Sequence, residues 1–191
     1  MVRRLLTLVL LALLLVPFAP AQANRAGDIY SKDHFDNPYS FDDDGCGFTF
    51  HVEGRVRGYE VIYNVPGSHG QAFLDDNRYR FRETWTNPDN GRTATVTGAA
   101  HFREISATHV RGDVWDFVSV TTGRPFTVRG SRGGVVLSDH GRIVEKTRFD
   151  TLGDSQPGGE VIDSRILRIS GHFPSYAPDF DFCALAERVV G

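Results

Sequence analysis

The sequence predicts an all-β domain: an antiparallel up-and-down barrel of about eight strands, followed by a short C-terminal helix. Three observations predict it. Apolar and polar residues alternate with period two over long stretches, the pattern of half-buried strands. Short turns rich in Gly, Pro, Asn and Asp separate these stretches. No helical crossover of the kind that parallel strands need lies between them. A closed barrel of this size removes its exposed edges and has room for one small ligand. A two-sheet β-sandwich is the other arrangement that fits the same pattern.

The elements follow in chain order. The sequence of 191 residues opens with Arg3-Arg4, an apolar run from Leu5 to Val16, and then Pro17, Pro20 and Ala21-Gln22-Ala23. This is the order of a secretory leader, with cleavage expected after Ala23. The apolar run is shorter than the roughly 20 residues a spanning helix needs, so the mature chain is expected to be secreted or in the cell envelope, with no transmembrane segment. Arg3-Arg4 also fits twin-arginine export, although the strongly hydrophobic run suits the general secretory route better. Residues 24–45 read as an extended acidic arm, polar and rich in Asp, with no period of 2 or 3.6. Residues 46–191 form the barrel domain.

The first strand starts at Gly47 and runs to about Tyr63. Phe48, Phe50, Val52 and Val56 fall on one face, and Thr49, His51, Glu53, Arg55 and Arg57 on the other. Pro66, Gly67 and Gly70 mark a loop. Arg78 to Thr86 alternates again, with Tyr79, Phe81, Glu83 and Trp85 opposite Arg78, Arg80, Arg82 and Thr84. Pro88-Asp89-Asn90-Gly91 is a turn leading into a strand from Arg92 to Thr108. Shorter strands follow at Asp113–Val120, Phe126–Arg129, Val135–Leu137, Arg142–Asp150 and Val161–Ser170. Asp179 to Val190 reads as a helix with Asp181 as a possible N-cap.

Composition narrows the function. The net charge is −3 for the whole sequence and −5 once Arg3 and Arg4 leave with the leader. That balance argues against a nucleic-acid binder. The two cysteines, Cys46 and Cys183, read as a disulfide in an exported chain and supply too few soft ligands for a metal site. Asp42-Asp43-Asp44-Gly45 is an acidic run without the Glu or flanking helices of a calcium-binding hand. The seven histidines are scattered; none forms H-x-H or H-E-x-x-H, so no metal and no cofactor are expected. No G-x-S-x-G, phosphate loop or dinucleotide fingerprint is present.

Two carboxylates have a chemically suggestive setting. Glu83 lies between Phe81 and Trp85, and Asp116 between Val114 and Val118. Partial desolvation there would raise a carboxyl pKa toward that of a general acid or base; ion pairing with one of the many arginines would instead make each structural. Phe81, Trp85, Trp115 and Phe117 are candidates to line an apolar pocket, or to be plain core.

Cys46-Gly47-Phe48, the run Phe81-Arg82-Glu83-Thr84-Trp85-Thr86-Asn87-Pro88-Asp89-Asn90-Gly91, and Phe149-Asp150-Thr151-Leu152-Gly153-Asp154 with Pro157-Gly158-Gly159 together resemble a group of small exported actinobacterial proteins of uncharacterised function. The resemblance covers most of the mature chain. It implies an extracellular or cell-surface setting and no particular activity. The architecture is similar in shape to lipocalin-like barrels, with no Gly-x-Trp at the first strand. Three functions fit these readings. The first is a barrel that binds a small apolar or amphipathic ligand. The second is a barrel isomerase, cyclase or hydrolase that uses Glu83 or Asp116. The third is an envelope-associated interaction module without a cavity.

Overall fold

A computed structural model describes residues 27–191; the leader and its expected cleavage after Ala23 lie outside the described residues. The strands are β1 (Ile29–Asp43), β2 (Phe50–Asn64), β3 (Phe73–Thr86), β4 (Thr93–Arg111), β5 (Val114–Arg129), β6 (Val135–Ser138), β7 (His140–Asp150) and β8 (Glu160–His172). A 3₁₀ turn at Pro174–Tyr176 and helix α1 (Phe182–Val190) follow. All pairing is antiparallel, in the order β1-β2-β3-β4-β5-β7-β8, and β6 pairs with β5. The expected eight-stranded up-and-down order is therefore present. Closure differs: among the described residues no ladder joins β1 to β8, so the sheet is open, with β1 and β8 at the ends of its strand order.

Three elements differ from the sequence reading. The acidic arm is itself strand β1, paired in continuous register with β2 from Ser31↔Ile62 to Asp43↔Phe50. Its period is hidden because an edge strand buries little: Phe35 and Tyr39 are half-buried, while the residues around them are exposed. Pro38, which has no N–H to donate, is tolerated at such an edge. Strand β3 starts at Phe73, ahead of the expected Arg78. The segments expected as separate strands at Asp113–Val120 and Phe126–Arg129 are one strand, β5. Gly123 and Pro125 form an irregularity within it, where the register with β4 shifts and β5 changes partner from β7 to β6. Gly123 has φ +128° and a Cβ there would meet the Ala99 carbonyl at 2.6 Å, so only glycine fits.

One face of the sheet, called inner here, carries Phe50 and Val52 of β2, Trp85 of β3, and Ala94 and Val96 of β4. With Val128 and Leu137 they form a core on which α1 packs Leu185, Ala186, Val189 and Val190. The Asp181 side chain caps α1, accepting hydrogen bonds from the Cys183 N–H at 2.8 Å and the Ala184 N–H at 3.1 Å. The β3–β4 turn holds the other end of the helix: Asn90 Nδ2 donates to the Val190 carbonyl at 3.1 Å, and Arg92 donates to the carbonyls of Arg188 and Gly191. The Cys46–Cys183 disulfide is formed, with Cα atoms 5.0 Å apart, and ties α1 to the start of β2. A second core at the far end gathers Val65, Ala72, Leu74, Ala107, Trp115 and Phe117.

Candidate functional site

The two carboxylates singled out by sequence are both engaged, and they lie on opposite faces of the sheet. Glu83 sits on the inner face of β3, the face it shares with Phe81 and Trp85. Its oxygens accept hydrogen bonds from the Tyr39 hydroxyl at 2.7 Å and from the Trp85 indole N–H at 2.8 Å. This joins edge strand β1 to β3, and burial together with the Glu83 charge raises the Tyr39 phenol above its usual range. Asp116 is on the outer face of β5, opposite Arg148 of β7. Arg148 forks onto it at 2.7 and 3.1 Å and Lys146 reaches it at 2.8 Å, which holds its carboxyl well below the usual range. Such an ion pair is not a base poised near neutrality.

The four aromatic candidates divide between the two cores. Phe81 and Trp85 belong to the one under α1, Trp115 and Phe117 to the other. The interior space beside Phe117, bounded also by Phe73, Glu104 and Phe149, measures about 50 Å³, against roughly 300–1,000 Å³ for ordinary ligand pockets.

Sequence reading missed a second set of carboxyls, because Asp75 precedes the expected start of its strand. The Glu104 carboxylate accepts the Asp75 backbone N–H at 2.8 Å, and Asn77 Nδ2 donates to Glu60 at 3.2 Å. The four residues project from the inner face of β2, β3 and β4. No Lys or Arg shares that face between Phe50 and Glu60, Asp75 and Trp85, or Ala94 and Glu104. Burial pushes Asp75 up to about 7, with the charges of Glu60 and Asp76 adding to it. Burial likewise pushes Glu104 up to about 7 against the lowering effect of the Asp75 N–H. Asp75 Oδ1 and Asn77 Oδ1 are buried without a hydrogen-bond partner.

The outer face has the opposite character. Register places Arg55 directly across from Arg82, and Arg57 across from Arg80. Two transverse rows result, because residues directly opposite in an antiparallel pair share a face. One row reads His34, Tyr59, Arg78, His101 and Thr122; the other reads Asp36, Arg57, Arg80, Ala99 and Arg124. Between them the backbone of Phe35, Gly58, Tyr79, Ala100 and Gly123 forms a floor whose side chains turn inward. The trough over this floor measures about 760 Å³. Asp36 forks onto Arg55 at 2.5 and 2.8 Å and stands 4.0 Å from Arg57, and His101 bonds Asp76 at 2.6 Å. Among the described residues Arg78, Arg80, Arg82 and Arg124 have no carboxylate within ion-pair distance. Tyr59 and His34 pack ring to ring at 4.6 Å on one bank.

No protein-family model, curated protein or solved structure matches the chain. Among the described residues no group of three or more His, Cys, Asp or Glu is placed to hold a metal ion, and no helix is long and apolar enough to cross a membrane. His51, expected on a polar face, pairs with Asp42 at 2.7 Å beside the β1–β2 connection.

Proposed function

We propose that the protein is an exported interaction module that binds an anionic partner on the outer face of its sheet. The observation that carries this reading is the trough: an open site of about 760 Å³ walled by Arg57, Arg78 and Arg80, of which the last two have no carboxylate partner among the described residues. Arginine presents a planar fork of donors that matches phosphate and carboxylate oxygens in pairs. The directly opposed Arg57 and Arg80 repel one another and weaken the ladder; a bound oxyanion would offset that cost. An interior ligand has less support, since the space beside Glu104 is about 50 Å³. Catalysis by Glu83 or Asp116 has less support too, since each is held by two partners. Export rests on the leader pattern of residues 1–23 and fits the formed Cys46–Cys183 disulfide, which is at home in oxidising compartments.

Isothermal titration of the mature chain with pyrophosphate tests the reading. Saturable binding is expected, weakening as salt is raised. The double substitution Arg57→Ala and Arg80→Ala is expected to reduce affinity at least about tenfold, the loss of one to two charge-assisted contacts, while the circular-dichroism spectrum is unchanged. Absence of saturable binding to pyrophosphate and to longer oxyanion chains would overturn it.

A further inference from the structure

A second depression adjoins the trough on the outer face. The second measures about 490 Å³ and is lined by Arg124, Arg129, His140 and His172 among others. They meet on β5: Gly123 lines the first and Arg124 the second. Arg124 lies directly across from Ala99, the small member of the Arg57–Arg80–Ala99 row. The low Ala99 therefore leaves a gap between two cationic stations, Arg57 with Arg80 on one side and Arg124 on the other. Arg124 and Arg129 also have no carboxylate partner among the described residues.

The dimensions follow from sheet geometry. Neighbouring strands lie about 4.8 Å apart, so the trough from β1 to β5 is about 19 Å long. The two banks are two residues apart along each strand, about 6.7 Å. That shape is long, narrow and open. A compact anion would occupy one station and leave the rest unpaired, whereas a chain of oxyanions lying across the strands meets Arg57, Arg78 and Arg80 first and Arg124 and Arg129 further on.

We infer that the outer face takes a linear polyanion, a chain of phosphates or of uronate carboxylates, laid across the strands from the trough into the second depression. This rests on the anionic-partner reading and specifies its ligand. Linking the stations through one chain raises affinity by effective concentration without any new type of contact.

The test compares pyrophosphate, linear polyphosphate of about ten units and oligogalacturonate of matched charge, each titrated into the mature chain and into Arg124→Ala. For one chain type, affinity is expected to exceed that of pyrophosphate at least about tenfold, beyond the gain from the number of registers on the chain. Arg124→Ala is expected to remove most of that excess, lowering the affinity for the chain by a larger factor than the affinity for pyrophosphate. Whichever chain shows the Arg124-dependent excess identifies the phosphate or the uronate source. Equal affinity for pyrophosphate and both chains, or an excess indifferent to Arg124→Ala, overturns the chain inference while the anionic site stands. No binding by any of the three overturns both.

Discussion

A carboxylate buried away from cations resists ionisation, and the fold loses stability when pH forces the charge on it. Asp75 and Glu104 are in that position, both pushed up to about 7. A raised carboxyl contributes stability that is full below its unfolded value near 4 and is lost as pH rises toward 7. The melting temperature is therefore expected to fall between pH 5 and pH 8. Glu104→Gln keeps an oxygen for the Asp75 N–H and removes the charge. It is expected to raise stability at pH 8 by about 2 kcal/mol, the order for relieving such a group, with little change at pH 4.5; equal effects at both pH values would contradict this account. Asp116 works with the opposite sign. Its carboxyl is lowered by Arg148 and Lys146, so its contribution is present above its unfolded value and fades as pH falls, and Asp116→Asn is expected to flatten the acid limb of the same curve. Glu83 has a structural part: Glu83→Gln weakens the bonds from Tyr39 and Trp85 and is expected to cost about 1–3 kcal/mol, read by denaturant titration.

At the scale of elements, α1 is held by its apolar face, by the β3–β4 turn and by the disulfide. The 137-residue separation of Cys46 and Cys183 makes loop closure large, worth roughly 4–5 kcal/mol in the chain-entropy model. Cys46→Ser with Cys183→Ser is expected to lower stability by up to that amount and to loosen Phe182 from Trp85, now 5.6 Å apart between ring centroids, which tryptophan fluorescence would register. The helix and its Asp181 cap were legible because a cap followed by an apolar face is a local pattern. Strand β1 was not, since an edge strand paired on one side, with Phe35 and Tyr39 only half-buried, needs no strict alternation. Strand β5 was divided ahead of Phe126, which follows Pro125, because a break between strands and an irregularity within one draw on the same residues. The candidate site divides in the same way. Alternating arginines on β2 and β3 were visible in the sequence, yet the pairing of Arg57 with Arg80 is a matter of register, which two-residue periodicity leaves open. The split of the four aromatics into two cores likewise depends on which end of each long strand they occupy.

Over the whole molecule, charge is sorted between the faces of one sheet. Glu60, Asp75, Glu83 and Glu104 point inward from β2–β4, while Arg55, Arg57, Arg78, Arg80, Arg82 and Arg103 point outward with Glu53 and Asp76. A net charge of −3 hides this arrangement, which is why composition spoke only against nucleic acid and gave no sign of a cationic face. Binding and stability are expected to trade against each other there. Arg80→Thr relieves the repulsion with Arg57 and is expected to stabilise the fold by roughly 0.2–1 kcal/mol as it weakens pyrophosphate binding. The strand order has a further consequence, for the way the chain reaches this state. Each strand from β2 to β6 pairs with the one just before it, so a chain delivered from its N-terminus can zip its hairpins in sequence, each loop closing at small entropic cost. Cys46 is delivered early, but its partner Cys183 follows all eight strands. Oxidation is therefore expected as the closing stitch on a sheet already assembled, and a thiol trap applied while the chain is being delivered should catch the sheet complete with its helix still unfastened.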